Sequence, residues 1–449
     1  MIMESQKILI QNGTLAGADA SASRDMIVEN GKISAVGTFD SSLFPGCEII
    51  DARGKYVMPG GFDPHVHMAL PTAAGKTCDD FRSGSAAALA GGTTSIMDFV
   101  TPHRGQSLRE ALDLRRAEAA ESLIGCGLHM GISEWNRDIA SEIIPCIERE
   151  GIQSFKAYMA YPDTIGIGYV DLEELMLIVG ATGGLVMVHC EDGTMISRLQ
   201  HDLLLSGKNR PCYHALSRPP EAEIRAMEQV IELSARTRCP VYLVHTSTAR
   251  GADMIAAAKK DGINVSGETC PHYLLLDDSV YDSRLDDLKV LPYILSPPVR
   301  SLKDQHRLWE GLSDGTFDVV ATDHCPFSII GQKDQELHDF TKIPNGAGSI
   351  RHRLSLLYTY GVLPGKITIN HFVSLVSTRP AEIFGLGHRK GKLLPGYDAD
   401  IVIWDPDFIG KISAKTYSSR CDSNIYEGFQ TTGRPETVIL GGKILNPKS

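Results

Sequence analysis

Short apolar runs alternate with longer amphipathic stretches through the middle of the chain. The amphipathic stretches have the length and spacing of helices, and they include residues 80–90, 108–122, 221–237 and 251–260. The apolar runs have the length of buried strands, and they are residues 57–62, 93–99, 127–132, 154–158, 185–189, 241–245, 264–268 and 318–322. Strands that alternate with helices in this way predict an α/β fold with a (β/α)8 TIM-like barrel. On periodicity alone, a doubly wound open sheet is the main alternative.

Both ends of the chain have a different pattern, in which short strand-like runs are separated by turns such as Asn12-Gly13 and Asn30-Gly31. These runs are residues 7–10, 25–29, 32–36, 48–51, 399–404, 437–440 and 443–445. Neither end has enough apolar surface to fold stably on its own, so we expect the two ends to pack together as one small β-sandwich domain. The predicted division is residues 1–56 and 391–449 for this domain and residues 57–390 for the barrel.

The composition is that of an ordinary globular protein, and it argues against several classes of partner. Of the 449 residues, 43% are hydrophobic and 22% are charged, and the net charge is −11. Because there is no basic stripe, we expect neither nucleic acid nor an anionic membrane surface as a partner. The N-terminus lacks the features of a signal peptide, and no apolar stretch is long enough to span a bilayer. Ten cysteines without a Cys-x-x-Cys motif indicate free thiols in a reducing compartment, which predicts a cytoplasmic protein.

Residues that can bind a metal lie at the ends of several predicted barrel strands. His65 and His67 follow the first strand, and residues two apart on an extended segment point to the same side, so both imidazoles can reach one ion. Later strands end at His189, His245 and Asp323. Any one of these residues, taken alone, is more simply a packing or capping residue. Because the C-terminal ends of barrel strands meet at one face, the whole set predicts a metal site there.

Lys156 lies on the fourth predicted strand, between apolar neighbours in Ser154-Phe155-Lys156-Ala157-Tyr158. An unpaired ammonium is costly to bury, and metal ions nearby would repel it. The default role of a lysine is a solvated surface charge, which does not fit this strand. Something must therefore change the charge of Lys156 or pair it.

With these residues the chain resembles the dihydropyrimidinase and D-hydantoinase family of cyclic amidohydrolases, in the amidohydrolase superfamily, over essentially its whole length. The segments that carry the resemblance are Gly61–His67, Asp79–Phe81, Ala90–Thr94, Ser154–Lys156, Met159–Tyr161, Val188–Glu191, Leu295–Pro298, Ala321–Phe327 and Lys342–Gly346. The segment Tyr213–Pro219 and the bulk of the match are most similar to phenylhydantoinase-like members.

The resemblance implies a binuclear metal site, usually with zinc, and gives each candidate residue a role. His65, His67 and Asp323 would bind the more buried ion, and His189 and His245 the more exposed one. Lys156 would be carboxylated by CO2 to N6-carboxylysine, an anionic carbamate that bridges both ions and resolves the charge problem on its strand. The residues implied in substrate binding are Tyr161, at the substrate carbonyl, and Ser296 and Asn345, which hold the cyclic amide largely through backbone groups.

The implied reaction is hydrolytic ring opening of dihydropyrimidines and 5-substituted hydantoins to N-carbamoyl amino acids. Two ions that share a water lower its pKa to about 7, so a metal-bridging hydroxide can attack the ring carbonyl. Tyr161 would stabilise the oxyanion, and Asp323 would move the proton to the leaving nitrogen. The resemblance also implies a homotetramer, or at least a homodimer, with residues 417–429 reaching across to a neighbour.

One position separates this family from its relatives. Dihydroorotases usually have an Arg two residues after the second His of the motif, and allantoinases commonly have an Asn, whereas this chain has Ala69. A dihydroorotase is therefore not expected, and an allantoinase-like cyclic ureide hydrolase is the alternative enzyme. Thr72 lies where many hydantoinases have a Phe, which leaves the preferred ring substituent open. The candidates for an apolar pocket are Met68, Leu70, Tyr158 and Ile165.

A non-enzymatic scaffold is the alternative from another class, because dihydropyrimidinase-related proteins of the cytoskeleton share the fold but have lost metal ligands. This chain keeps every ligand type, which favours the enzyme. Four further histidines are predicted to be mostly rim or surface residues, with orientation of the metal ligands as the alternative role, and they are His103, His129, His272 and His324.

Overall fold

The computed structural model describes residues 7–161, 164–416 and 419–445. Its largest sheet has eight parallel strands, each paired with the next along the chain. The strands are Gly61–Val66, Thr93–Val100, Gly125–Gly131, Ser154–Tyr158, Leu185–His189, Val241–Leu243, Val265–Thr269 and Val319–Val320. A parallel bridge between Val66 and His324 joins the last strand to the first. The predicted TIM-like barrel is therefore confirmed, and an open sheet is excluded.

The predicted first strand, residues 57–62, is in fact two strands in two different sheets. Tyr56–Pro59 pairs with Ile401–Lys411 outside the barrel, and Gly61–Val66 is the first barrel strand. The change of partner occurs at Gly60, whose N–H donates to Asp400 O at 2.8 Å, while the next N–H donates to Gly92 O at 2.9 Å. A Cβ on Gly60 would lie 2.1 Å from Oγ1 of Thr94, so only glycine allows this close passage.

Helices connect the barrel strands and cover the outside of the barrel. Those of ten or more residues, within the described ranges, are Phe81–Ala90, Leu108–Ala119, Arg137–Glu148, Tyr169–Ala181, Gly193–Leu205, Pro220–Thr237, Ala249–Lys260 and Leu302–Ser313. Shorter α-helices are His214–Ser217, Pro271–Leu275, Asp287–Val290, Arg353–Leu357, Ile369–Val373 and Arg379–Ile383. Capping side chains fix several starts: Asp80, Ser107 and Thr248 each accept a hydrogen bond from a backbone N–H in the first turn. Within these described parts of the chain, none of the helices is long and apolar enough to cross a membrane.

The two chain ends form two further sheets that pack on each other. One has the strand order Lys32–Gly37, Asp25–Glu29, Lys7–Gln11, Glu48–Asp51. The other has the order Lys443–Leu445, Gln430–Leu440, Ile401–Lys411, Tyr56–Pro59, Thr14–Ala16, Ser21–Ser23. Apolar residues of both sheets, such as Ile8, Val28, Val57 and Ile401, share one buried cluster. The predicted sandwich from both ends is present, while the exact domain boundaries stay a prediction because Tyr56–Pro59 extends across residue 57.

Candidate metal centre and active site

The imidazoles of His65 and His67 meet the carboxylate of Asp323 at the C-terminal mouth of the barrel. The Nε2 atoms of both histidines lie 3.2 Å from Oδ1 of Asp323. His65 lies in the first barrel strand, His67 directly follows it, and Asp323 lies just beyond the eighth strand. One ligand atom from each of the three residues lies within 4.8 Å of the others, so the group can hold a metal ion.

The electrostatics of this group favour a cation between its members. Burial lowers the pKa of His67 to about 4, so its ring is neutral near pH 7 and keeps a lone pair for a metal. Burial also lowers the pKa of His65, but the carboxylates of Glu268 and Asp323 outweigh burial and raise that pKa to about 9. Glu268 lies 2.8 Å from Nδ1 of His65 and accepts hydrogen bonds from the Tyr242 hydroxyl and the His245 N–H. It therefore fixes the orientation of the His65 ring.

His189 and His245 form a second imidazole pair on the other side of the same mouth. Nδ1 of His189 lies 3.0 Å from Nε2 of His245. The ring centroids of His65 and His245 are 5.5 Å apart, so the two pairs face a common centre. Nε2 of His189 lies 2.9 Å from Glu191, whose carboxylate accepts a 2.5 Å hydrogen bond from Arg218. The Glu191–Arg218 ion pair thus orients the His189 ring as Glu268 orients His65.

Lys156 reaches the same mouth from the fourth barrel strand. Its side chain is 1% exposed, and within the described residues Nζ has no hydrogen-bond partner. Nζ lies 5.2 Å from the centroid of the Phe99 ring and 5.1 Å from that of Tyr158, and burial lowers its pKa to about 8. An amine left alone in this position is costly, and carboxylation would turn it into an oxygen ligand. The residues present therefore fit a metal centre that includes a modified Lys156.

Three residues at the mouth have positive backbone φ angles although they are not glycine. The angles are 59° at Tyr161, 37° at His245 and 49° at Asp323. Non-glycine residues with such angles cost free energy and cluster at functional sites. Here the conformation turns each side chain inward from the end of a strand or from the loop that follows it.

A cavity of about 560 Å³ opens next to the metal-binding residues. Tyr161, Ser296 and Asn345 line it, and the Tyr161 ring centroid lies 5.7 Å from that of His189. Within the described residues, Ser296 Oγ and Asn345 Oδ1 are buried without hydrogen-bond partners. Buried polar atoms without partners inside a cavity are suited to binding a polar ligand.

Three of the four residues that the sequence suggested for an apolar pocket line the cavity. Leu70, Tyr158 and Ile165 line the cavity, as does Thr72. Met68 does not, so its prediction is wrong: it is 0% exposed and packs into a cluster with Val66 and Phe81 behind the site.

Of the four further histidines, three are buried, and the structure corrects the prediction that they are mostly rim or surface residues. His129 is buried and lies 2.9 Å from a backbone carbonyl of the first barrel strand, and His324 is buried 3.1 Å from Asp79. His272 is also buried, and within the described residues neither ring nitrogen has a partner. Of these four described histidines, His103 alone lies on the cavity wall.

Sequence reasoning missed the carboxylates that support the ligands. Glu268 ends the seventh predicted strand, and a carboxylate at the end of a barrel strand was a usable signal. Glu191 lies two residues after His189, again the spacing that places side chains on one side. The partner of Glu191, Arg218, lies 27 residues further along the chain, and no sequence pattern connects the two.

The C-terminal segment contacts the site region of its own chain. Of residues 417–429, expected to reach a neighbour, 417 and 418 lie outside the described residues. Ser419 and Arg420 donate to Asp79 at 2.5 and 2.9 Å, and Asp422 accepts from the Ile329 N–H at 2.7 Å. That residues 417–429 also contact a neighbouring subunit remains a prediction.

Comparison with known proteins identifies the group to which the chain is related. The model of the amidohydrolase family matches residues 221–445. A D-hydantoinase from Geobacillus stearothermophilus is 41% identical over 97% of this chain and 92% of its own length. A D-phenylhydantoinase from Escherichia coli O1:K1 is 39% identical over 97% of this chain and 95% of its own. The crystal structure of a dihydropyrimidinase from Brevibacillus agri superposes with a TM-score of 0.95 at 38% identity, covering 98% and 95% of the two chains.

The chain belongs to the amidohydrolase family and, within it, to the hydantoinase and dihydropyrimidinase group. Metal dependence is general in this family, which agrees with the group of His65, His67 and Asp323.

Proposed function

We propose that the protein hydrolyses the ring amide bond of dihydropyrimidines and 5-substituted hydantoins, with N-carbamoyl amino acids as products. One observation carries this proposal: metal-binding side chains and the buried Lys156 converge at a barrel mouth beside a cavity, and among the described residues neither the Lys156 amine nor Ser296 Oγ has a hydrogen-bond partner. The relatives named D-hydantoinase and D-phenylhydantoinase support the substrate class.

We further propose that two divalent ions, most simply zinc, bind at this mouth. His65, His67 and Asp323 would hold one ion and His189 and His245 the other, with carboxylated Lys156 shared between them. Imidazole and carboxylate ligands suit zinc. The supporting observations are the two histidine pairs that face one centre and the Lys156 amine that has no partner among the described residues.

When bound, such ions supply Lewis acidity and lower the pKa of water towards neutrality. The residues of the chain then have separate tasks. The Tyr161 hydroxyl donates a hydrogen bond to the ring carbonyl oxygen as negative charge develops there. Asp323 accepts a proton on its carboxylate and passes it to the leaving ring nitrogen. Ser296 and Asn345, which line the same cavity, orient the ring amide.

The alternatives are weaker on specific observations. An allantoinase-like hydrolase would share the metal centre, but Ala69 differs from the Asn common at that position. A scaffold protein has no use for His65, His67 and Asp323 held within ligand distance of one another.

The test is ring opening of dihydrouracil, hydantoin, 5-phenylhydantoin, allantoin and dihydroorotate by protein of measured metal content. We expect turnover of the first three with about two metal ions per chain. The order of their turnover rates identifies the ring substituent that the enzyme prefers. Turnover of allantoin alone supports the alternative enzyme. Lack of both turnover and metal, after reconstitution with zinc and bicarbonate, supports the scaffold.

We also propose a cytoplasmic homotetramer, or at least a homodimer, with the domain division at residues 56/57 and 390/391. All ten cysteines are free thiols, which supports a reducing compartment. Light scattering coupled to size exclusion measures the oligomeric state.

A further inference from the structure

The ammonium group of Lys333 is buried behind the cavity and is not used by the proposed reaction. Lys333 is 1% exposed. Its Nζ donates to three backbone carbonyls, those of Leu291 at 3.1 Å, Ile294 at 2.8 Å and Gly346 at 2.7 Å. An ammonium has three N–H donors and no acceptor, so this arrangement satisfies all of them.

The three carbonyls belong to the two segments that carry the substrate-binding candidates. Ile294 lies two residues before Ser296, and Gly346 directly follows Asn345. The segments also contact each other directly, because the Gly346 N–H donates to Ile294 O at 2.9 Å. Lys333 thus links the two segments whose residues Ser296 and Asn345 line the cavity.

The contacts of Lys333 are unusual for a lysine that only supports packing. Within the described residues no carboxylate pairs with it, so partial charges on backbone carbonyls alone compensate its full charge. Charged donors form stronger hydrogen bonds than neutral ones, and these act where the dielectric constant is low. An apolar residue at this position would remove all three bonds and leave the hydrogen bond from the Gly346 N–H to Ile294 O to hold the segments together.

The backbone at Gly346 is tightly packed. Gly346 has a φ of 147°, and a Cβ on it would lie 2.3 Å from Cys325 O. Asn345 therefore occupies a tightly packed turn, and a shift of Gly346 carries Asn345 with it.

We propose that Lys333 is a positioning residue for the substrate: its ammonium holds the segments of Ser296 and Asn345 at the spacing that the ring amide requires. The identity of that substrate rests on the proposed function. Lys333 touches neither the reacting atoms nor the metal ligands, so its removal is expected to weaken ground-state binding more than the chemical step.

The experiment compares Lys333→Met, which fills the space of the lysine side chain up to Cε but has no donor, with Lys333→Gln, which keeps two N–H donors. Lys342→Met is the control, because its side chain is 62% exposed and lies on the same connecting stretch. The readouts are kcat and KM for the best cyclic amide, metal content, and hydrogen exchange of the Gly346 amide. For Lys333→Met we expect KM to rise about tenfold or more, kcat to change less than about threefold, and unchanged metal content. The Gly346 amide should exchange faster in Lys333→Met than in wild type, and Lys333→Gln should show an intermediate rate.

A KM of Lys333→Met within about twofold of wild type overturns the proposal, and so does a parallel loss of kcat and metal, which marks a purely structural role. If Lys333→Met does not fold, Lys333→Gln is judged by the same criteria. If the wild-type protein opens none of the cyclic amides, the proposed function has failed. The exchange of the Gly346 amide then still decides whether Lys333 holds the two segments.

Discussion

At the scale of single residues, the buried amine of Lys156 is the most demanding feature of the site. A side chain that is 1% exposed and, within the described residues, has no hydrogen-bond partner is destabilising unless its chemistry changes. The ammonium first loses one proton, and the neutral amine then forms an N–C bond to CO2 and releases a second proton, so a buried cation would become an anion among histidines. The same change would explain why Lys156 lies within an otherwise apolar strand.

Replacing Lys156 by Ala should remove metal and activity together. We expect metal content to fall clearly below that of wild type, and kcat/KM to fall by about 10³ or more, since the proposed shared ligand is lost. Metal analysis and steady-state kinetics measure both, and Lys342→Met is the control for a lost lysine. A short carboxylate such as acetate should restore part of the activity. Full activity of Lys156→Ala in bicarbonate-free buffer without added carboxylate contradicts the bridging role.

Replacing Tyr161 by Phe should slow the chemical step and leave binding nearly intact. The Phe ring can keep the contacts with His189 and Arg218, so only the hydroxyl donor is lost. Loss of one oxyanion donor costs about 10²–10³ in kcat. Tyr158→Phe is the matched control, because this buried tyrosine lines the same cavity and has no proposed role in the reaction. Equal kcat values for the Tyr161 and Tyr158 variants would rule out the assigned role.

The sequence indicated the candidate ligands but not the groups that orient them. His65, His67 and Asp323 lie at strand ends, and the barrel rule alone places those ends together. Glu268 contacts His65 across 203 residues of sequence, and this contact depends on the side-chain directions of particular neighbours. The prediction that Met68 lines the cavity was wrong for a similar reason. The direction of the Met68 side chain depends on the turn at Ala69, where φ is 47°.

At the scale of elements, a C-terminal segment supports the loop that follows the eighth barrel strand. Asp79 accepts hydrogen bonds from Ser419 and Arg420 and lies 3.1 Å from Nε2 of His324. The Ser349 N–H donates to Nδ1 of His324, so Nε2 carries the proton and donates to Asp79. Segments far apart in sequence therefore meet at the residue next to Asp323.

The Asp79 carboxylate should contribute stability that disappears in acid. Burial raises its pKa, but hydrogen bonds from His324 and Ser419 outweigh burial and lower it from 3.8 to about 2. A carboxyl whose folded pKa is depressed stabilises the fold above its unfolded pKa, here by about 2 kcal/mol, and loses that contribution as the pH falls through the folded value.

The test compares the free energy of unfolding of wild type and Asp79→Asn between pH 6 and pH 2. We expect the wild-type advantage to be constant above about pH 4 and to shrink below it. Asp253→Asn, which changes a 52% exposed side chain, should show a small difference without this trend. A wild-type advantage that grows towards pH 2 contradicts the assigned charge state of Asp79.

The division of residues 57–62 into two strands shows where periodicity fails at this scale. The apolar run continues through Gly60 without interruption, so no pattern of apolar and polar positions marks the change of sheet. What separates the strands is the hydrogen-bond partner of each N–H, Asp400 for Gly60 and Gly92 for Gly61. These partners become neighbours only when the barrel and the sandwich are both in place.

At the scale of the whole molecule, the candidate ligands come from five different parts of the barrel wall. They lie at the ends of the first, fourth, fifth, sixth and eighth strands. The barrel was predictable because its strands follow one another in sequence and space. The packing of the two chain ends was predictable only as the simplest way to bury their apolar faces. A bound metal centre would therefore connect strands that are up to 258 residues apart along the chain, between His65 and Asp323.

Removal of metal should consequently destabilise the entire barrel and not only the site. A ligand that binds the folded state alone stabilises it by about 4 kcal/mol when its free concentration is a thousand times its dissociation constant. Treatment with a chelator should therefore lower the Tm by several degrees, and zinc with bicarbonate should restore it. In His67→Ala the chelator should have a much smaller effect, because part of the centre is already lost. His306→Ala, on an exposed helix surface, should respond as wild type does. If metal analysis shows complete removal while the Tm of wild type does not change, the ions do not connect the barrel strands energetically, and the proposed ligand set is wrong.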